Sequence, residues 1–272
     1  MHDCASVRVF RGPATQWRSP LTAAGQEFAM PPELAPLPAD WQRALAVVAH
    51  PDDLEYGASG AVASWTTSGK EVSYLLVTRG EAGIAGMAPR EAVEVREAEQ
   101  RRAAELVGVS SVEFLDHRDG VIEPTPRLRR DIAREIRRRR PELVVTLNHR
   151  DNWGPGTWNT PDHRATGTAV LDAVADAGNE WIFPELVAEG AAPWRGVRWV
   201  AVAASPSSSH AVDISESFEQ AVRSLAAHRA YLSALSDEPP EQYARRFLDT
   251  ATRQFADRFG GKRCVPFELF EL

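Results

Sequence analysis

The stretch ALAVVAHPDD, residues 44–53, decides the predicted fold of this chain. Its first six residues form a short apolar run that is typical of a buried strand, and the polar sequence His-Pro-Asp-Asp follows at 50–53 without a break. Burying polar groups at the end of a strand costs free energy unless they have hydrogen-bond partners or serve a function. The stretch therefore predicts a buried strand with a functional site at its carboxyl end.

Beyond this stretch, apolar strand patterns alternate with helical patterns along the chain. Such alternation predicts an α/β fold, a mainly parallel sheet with helices on both faces. One helix starts clearly at Thr125, a typical N-cap residue followed by Pro126. Further strands are predicted over residues 72–78, 112–115, 143–147 and 197–203, and further helices over 57–68, 90–107, 162–177 and 214–235.

The composition indicates a globular domain behind an N-terminal extension. Residues 1–40 are rich in Pro, Ala and polar residues without a clear period, so we expect an extension there and the main domain over 41–272. The net charge of −7 disfavours a nucleic-acid-binding protein. No apolar run approaches the roughly 20 residues that span a bilayer, and no signal-peptide pattern is present. We therefore expect a cytoplasmic protein without membrane insertion.

The residues after the first strand have the spacing of a metal site. His50 and Asp53 are three apart, so they face the same way on a first helical turn, where an imidazole nitrogen and a carboxylate suit zinc. Asp52 lies on a neighbouring face, where it could take a proton from a water on the metal. The alternative interpretation is a helix start with acidic capping residues and a surface histidine.

A third zinc ligand is expected at the same edge of the sheet, because ligands bind at the carboxyl ends of parallel strands. His163 follows the strand 143–147 through a loop, and Asp162 could orient a histidine as its hydrogen-bond partner. His149 is the main rival ligand. His163 could instead be an ordinary residue at the start of a helix. The two cysteines, Cys4 and Cys264, form no CxxC pair, which disfavours a thiolate site.

Over roughly residues 43–230 the chain contains the motifs Ala49-His50-Pro51-Asp52-Asp53 with Gly57, Thr78-Arg79-Gly80-Glu81, Arg96-Glu97 and Pro161-Asp162-His163. In these motifs the sequence resembles the PIG-L or LmbE-like deacetylases, a family that includes glycolipid, thiol-pathway and glycopeptide antibiotic deacetylases. The resemblance implies a Rossmann-like fold and a zinc ion held by His50, Asp53 and His163, with Asp52 as general base. It further implies that Arg96 contacts the substrate and that Asp119 binds sugar hydroxyls.

The chain departs from the family pattern at Thr160, where many members have a histidine that helps to stabilise the oxyanion. That function is left to the zinc or to another donor, such as Asn159 or His228. The late helix also differs, since the family often has H-x-S-Q where this chain has His-Arg-Ala-Tyr at 228–231. These differences leave the metal site intact and leave the substrate open.

Three other segments have two interpretations each. The segment 148–159 contains Trp153 and Asn159, which are predicted to contact a sugar, although a packed aromatic loop has similar composition. The Gly- and Ala-rich segment 80–90 is either a mobile lid or an ordinary connection. The arginines at 134 and 137–140 are predicted to lie largely on a solvated helix face rather than to form a functional basic patch.

The predicted function is zinc-dependent hydrolysis that removes an acetyl or other acyl group from an N-acylated amino sugar. The predicted partner is a small amino-sugar conjugate, and a homo-oligomer is left open. The alternatives are an amidase acting on a thiol-sugar conjugate and a non-catalytic sugar-binding protein. A nucleotide-dependent enzyme is disfavoured because no GxGxxG follows the first strand.

Overall fold

An eight-stranded sheet forms the centre of residues 32–272, the part of the chain that the computed structural model describes. A separate two-stranded hairpin lies after β5 and consists of β6 and β7. The strands are β1 Ala35–Pro36, β2 Arg43–Val48, β3 Glu71–Leu76, β4 Ser111–Phe114, β5 Leu143–Leu147, β6 Asn152–Gly154, β7 Thr157–Trp158, β8 Trp199–Ala203, β9 His210–Asp213 and β10 Cys264–Glu271.

The strand order explains where a ligand can bind. Across the sheet the order is β1-β9-β10-β8-β5-β2-β3-β4, and the neighbours from β8 to β4 are parallel, whereas β10 is antiparallel to β8 and β9. The predicted mainly parallel sheet is thus confirmed. The chain runs outward from β2 to β4 and then returns to β5 on the other side of β2. Such a reversal opens a crevice at the carboxyl ends of the two central strands.

Helices cover both faces of the sheet, as predicted. Successive residues of β2 point to opposite faces. The helices are α1 Asp53–Gly57, α2 Ser59–Thr67, α3 Pro89–Leu106, α4 Pro126–Arg139, α5 Pro161–Ala177, α6 Pro184–Ala188, α7 Phe218–Ala226, α8 Arg229–Leu235 and α9 Pro240–Arg253. Ala46 and Val48 lie in the core with α2, α3, α7 and α9, whereas Leu45 and Val47 lie in the core with α4 and α5.

Two threonines fix the starts of the helices on the α4 and α5 side. The hydroxyl of Thr125 accepts a hydrogen bond from the Leu128 N–H, which confirms the predicted N-cap of α4. Thr160 caps α5 in the same way, through the N–H of His163. Each cap satisfies one of the N–H groups that have no partner within the helix.

The predicted helix over 214–235 is wrong, because two helices, α7 and α8, occupy this segment. The break falls at His228, whose ψ of 59° is not helical and whose side chain is fully buried. Periodicity does not reveal the break, since Leu225 and Leu232 are buried on either side of it at helical spacing. The sequence patterns also gave no prediction for α9 or β10.

The predicted solvated arginine face of α4 is wrong at Arg137, which is 1% exposed. Its guanidinium donates hydrogen bonds to the backbone carbonyls of Asp176, Ala177, Asn179 and Ile182. These carbonyls lie at and beyond the end of α5, where helical partners are lacking. Arg137 therefore fastens the end of α5 to α4.

Residues 32–40 are the described part of the predicted N-terminal extension. Here β1 pairs with β9 at one edge of the sheet, so this part lies against the domain. The rest of the extension lies outside the described residues, and its boundary at residue 40 stays a prediction. Within residues 32–272, no helix combines the length and apolarity that crossing a membrane requires.

Candidate metal centre and active site

Three potential metal ligands meet in the crevice beyond β2 and β5. His50, Asp53 and His163 each offer a ligand atom, and these atoms all lie within 4.8 Å of one another. Asp53 lies between the two histidines. Its Oδ1 is 3.0 Å from Nε2 of His163, and its Oδ2 is 3.6 Å from Nδ1 of His50. The structure thus brings together residues that are 110 positions apart in the chain.

Two carboxylates hold the other side of the His50 ring. Its Nε2 is 3.1 Å from Oδ1 of Asp119 and 3.1 Å from Oδ2 of Asp162. The backbone N–H groups of Gly120 and Ile122 donate to Asp162 at 2.7 and 3.0 Å and fix its position. With a proton on Nε2, His50 presents Nδ1 toward Asp53. Carboxylates commonly orient a metal-ligating histidine in this way.

Asn159 lies behind His163 rather than facing the crevice. Its Oδ1 is 3.2 Å from Nδ1 of His163, and its buried amide nitrogen donates to the carbonyls of Asn148 and Arg150 at 2.7 and 2.9 Å. These hydrogen bonds place Asn159 to orient His163, and its contact with a sugar or an oxyanion stays a prediction. Trp153 packs edge-on against the same imidazole, with 5.4 Å between ring centroids.

Asp52 occupies a strained position at the end of β2. Its φ of 87° lies in the left-handed region, which costs free energy for a residue other than glycine. Residues strained in this way are concentrated at functional sites. Gln100 accepts a hydrogen bond from the Asp52 N–H at 2.9 Å, and Arg96 donates to its Oδ2 at 3.1 Å. Both partners lie on α3, which therefore fixes the Asp52 carboxylate beside the candidate metal ligand Asp53.

Arg96 is enclosed by protein, and its contact with a substrate stays a prediction. Its side chain is 2% exposed and also donates to the carbonyl of Pro51. The Tyr231 ring covers the guanidinium at 4.4 Å. On another side Gly83 packs so closely that an added Cβ would lie 2.2 Å from Nη1 of Arg96. Arg96 is thus placed to orient Asp52.

A series of buried polar groups continues from Gln100. The Gln100 amide donates to Oε1 of Glu55 at 3.0 Å, and Oε2 of Glu55 lies 3.4 Å from Nε2 of His228. His228 is therefore buried beside a carboxylate, and its function as an oxyanion donor stays a prediction. Sequence reasoning missed Gln100 and Glu55. The sequence feature that could have indicated Gln100 is its spacing from Arg96. These two large polar residues are four apart on a buried helix face that also contains Ala92 and Ala103.

Burial and neighbouring charges separate the two aspartates. Burial raises the pKa of Asp52 to about 6, while the Arg96 guanidinium opposes the rise. Burial also acts to raise the pKa of Asp53, but the two adjacent histidines outweigh it and hold that pKa well below its usual range. Asp53 is thus ionised as a ligand must be, and Asp52 has a pKa close to that of a general base working near neutral pH.

Other predicted features lie around this centre. His149 is outside the ligand group, with its ring 6.1 Å from that of Phe270, so the rival ligand is not supported. Thr160 serves as the helix cap described above. The segment 80–90 forms one wall of the crevice, where the Ala82 N–H donates to Asp119 at 2.8 Å and Ile84 is buried.

Fold and site together define an α/β protein with two histidines and one aspartate grouped at the switch point of its sheet. A model of the PIG-L family, described as GlcNAc-PI de-N-acetylase, matches residues 45–174. Diacetylchitobiose deacetylase of Thermococcus kodakarensis is 31% identical over 230 residues, which cover 84% of this chain and 84% of that protein. The chain belongs to the PIG-L family, and the resemblance noted in its sequence is confirmed.

Solved structures share the fold. N,N'-diacetylchitobiose deacetylase from Pyrococcus horikoshii has a TM-score of 0.75 at 24% identity, and the match covers 85% of each chain. GalB, the 4-carboxy-2-hydroxymuconate hydratase of Pseudomonas putida, has a TM-score of 0.65 at 19% identity over 85% of this chain and 97% of that one. Because a hydratase also has this fold, the reaction must be argued from the site.

Proposed function

We propose that the protein is a zinc-dependent N-deacetylase that hydrolyses the acetamide of an N-acetylated amino sugar. The observation that carries the proposal is the position of Asp52, a buried and strained carboxylate held directly beside the group of His50, Asp53 and His163. Membership of the PIG-L family and the deacetylase name of the Thermococcus relative support the same reaction.

The donor atoms fit a zinc ion. Asn159 engages Nδ1 of His163 and leaves Nε2 as the ligand atom, while Asp119 and Asp162 engage Nε2 of His50 and leave Nδ1. Together with Asp53 these nitrogens make the three-ligand set that catalytic zinc sites use, with a position left for substrate or water. When bound, zinc would supply Lewis acidity to the scissile carbonyl and to the attacking water.

Asp52 is the proposed general base and, later, the general acid. Arg96 occupies Oδ2 of Asp52, so Oδ1 is the oxygen that accepts the proton of the attacking water. The C–N bond then breaks as Asp52 returns this proton to the leaving amine, which gives acetate and the free amino sugar. One carboxylate can do both because it accepts the proton in its ionised form and returns it in its protonated form.

The α3 residues keep this carboxylate in place through the reaction. Arg96 holds one carboxylate oxygen, and Gln100 holds the backbone N–H of the same residue. Because all three groups are buried, the carboxylate has little freedom to leave the ligand group. Such fixed geometry lowers the entropic cost of reaching the transition state.

Acetate release provides the test. The purified protein is incubated with N-acetylglucosamine, N,N'-diacetylchitobiose and a thiol-sugar conjugate, first as prepared, then after removal of metal by a chelator, and finally after addition of zinc. We expect acetate from at least one acetylated sugar, loss of this activity with the chelator and its return with zinc.

Two results would count against the proposal. Cleavage of the thiol-sugar conjugate at its other amide, without acetate release, would favour the amidase reaction. Zinc that neither binds nor affects turnover would favour a non-catalytic sugar-binding protein. His149→Ala serves as a control, since His149 lies outside the ligand group and its loss should leave zinc dependence unchanged.

A further inference from the structure

A cavity of about 280 Å³ lies beside the proposed active site, over the other half of the same sheet edge. It is bounded by α1, the start of α2, the segment after β8, and α9. This space is many times the about 10–15 Å³ that one water needs, and it is enough for a short alkyl chain. It is too large to be an ordinary packing defect between side chains.

The lining of the cavity is apolar and aromatic. Tyr56, Trp153, Phe247 and Phe255 contribute rings that are only partly buried, and Ile214 contributes an aliphatic side chain. Tyr56 packs edge-on against Phe247 with 4.8 Å between ring centroids, so these rings hold one another in place. Partly exposed aromatic rings around a formed space are typical of ligand pockets.

Three hydroxyl groups of the lining are already satisfied by the protein, and Glu55, which also lines the cavity, is itself fully buried. The hydroxyl of Ser59 donates to the Glu55 carbonyl, that of Ser205 donates to the Glu268 carboxylate, and that of Thr252 donates to the Leu248 carbonyl. A ligand in this cavity would therefore find apolar contact and few hydrogen-bond partners. This chemistry suits a hydrocarbon group and not a second sugar ring, whose hydroxyls would lose their hydration.

Trp153 connects the cavity to the metal ligands. It lines the cavity and also packs edge-on against the ring of His163. Tyr56 and Gly57, also in the lining, follow the metal ligand Asp53 within α1. A molecule whose amide lies at His163 could therefore extend past Trp153 into the cavity.

We propose that this cavity binds an apolar group of the amino-sugar substrate, an alkyl chain of about the length of a hexyl group. The inference rests on the proposed deacetylase function for its substrate class. The substrate can carry this alkyl chain in two ways, as the N-acyl group that is released or as a group attached to the sugar through its glycosidic oxygen. The hydrocarbon is the same in both cases, and assays with one substrate of each type distinguish the two attachments.

The kinetic test compares N-acetylglucosamine with N-hexanoylglucosamine and with the hexyl glycoside of N-acetylglucosamine. We expect kcat/KM to rise at least 10-fold for one of the two hexyl compounds. Ala251→Phe, which fills the cavity from α9, should abolish this gain and leave hydrolysis of N-acetylglucosamine unchanged. Thr250→Phe adds the same ring at an exposed neighbouring position and should keep the gain.

A binding measurement separates this inference from the deacetylase proposal. Hexyl β-glucoside has no amide, so its calorimetric binding requires neither turnover nor zinc. We expect binding to the unaltered protein and to the Thr250→Phe variant, and at least 10-fold weaker binding to Ala251→Phe. Binding without any deacetylation would preserve the cavity assignment and overturn the reaction. Deacetylation of N-acetylglucosamine with no hexyl gain and no hexyl glucoside binding would overturn the cavity assignment alone.

Discussion

The carboxyl edge of the sheet has two halves of opposite chemistry. Beyond β2, β3, β4 and β5 the crevice holds buried ionisable groups, and nearly every one has a charged or hydrogen-bonding partner. Beyond β8, β9 and β10 the cavity is lined by aromatic and aliphatic side chains whose few hydroxyls are satisfied internally. In the proposed function, the polar half supplies the fixed charges that the reaction needs, and the apolar half selects the substrate through apolar contact.

The division follows the order of the strands across the sheet. The parallel strands β2, β3, β4 and β5 end at the crevice, and the loops that follow them bring polar side chains to the same place. The antiparallel β10 enters between β8 and β9 and is followed by no such loop at this edge. Changes in the polar half should therefore alter zinc binding or turnover for every substrate, whereas changes in the apolar half should alter only substrate preference.

The largest effect is expected from removing a metal ligand. His163→Ala should lower bound zinc well below one per chain and reduce turnover by more than the about 10- to 100-fold typical of losing an outer hydrogen-bond partner. Elemental analysis and acetate release measure the two quantities. His149→Ala is the matched control and should keep both. Full zinc occupancy in His163→Ala would remove this residue from the ligand set.

A smaller effect is expected from the residue that orients the base. Arg96→Gln leaves Asp52 without its buried guanidinium, and a misplaced carboxylate should lower kcat by up to about 10²-fold. The KM should change little, because Arg96 is enclosed by protein. Arg102→Gln, on the exposed side of the same helix, is the control.

A rise in KM without a fall in kcat for Arg96→Gln would support the sequence-based interpretation of Arg96 as a substrate contact. Arg96→Lys refines the test. The lysine keeps the charge but cannot make the several hydrogen bonds of the planar guanidinium. If Arg96 positions Asp52, kcat should therefore recover only in part.

The smallest of these effects is expected from the partner of His163. Asn159→Ala removes the acceptor for Nδ1 and should weaken zinc binding about 10- to 100-fold, with near-normal turnover at saturating zinc. Competition with a chelator of known affinity measures this change. The control is Asn152→Ala, an exposed residue in the same loop region. Unchanged zinc affinity with a higher KM would contradict this and support the prediction that Asn159 contacts the substrate.

The parts that the sequence predicted are those encoded by local pattern. The buried strand 143–147, the N-cap at Thr125 and the grouping of His50 with Asp53 all follow from spacing within a few residues. The meeting of His163 with this pair followed from the rule that parallel strands end at one edge, together with the family motif.

The parts that the sequence did not predict depend on contacts between distant segments. The break at His228 leaves the apolar spacing intact, and the burial of Arg137 depends on carbonyls from α5. Arg96 was assigned to the substrate from the family resemblance, and Asn159 from the composition of its segment. Neither signal distinguishes a polar residue that faces the ligand from one that lies behind a ligating side chain. The cavity is formed by segments as far apart as α1 and α9, so no short motif indicates it.

Asp52→Asn, measured for zinc content and acetate release on the same preparation, tests the assignment of the base and the ligand group together. The asparagine preserves shape and removes the group that accepts the proton. We predict one zinc per chain, as in the unaltered protein, with turnover lowered by about 10²- to 10⁴-fold. Asp237→Asn, at an exposed position, should change neither quantity. Near-normal acetate release by a zinc-loaded Asp52→Asn protein would contradict the proposed mechanism.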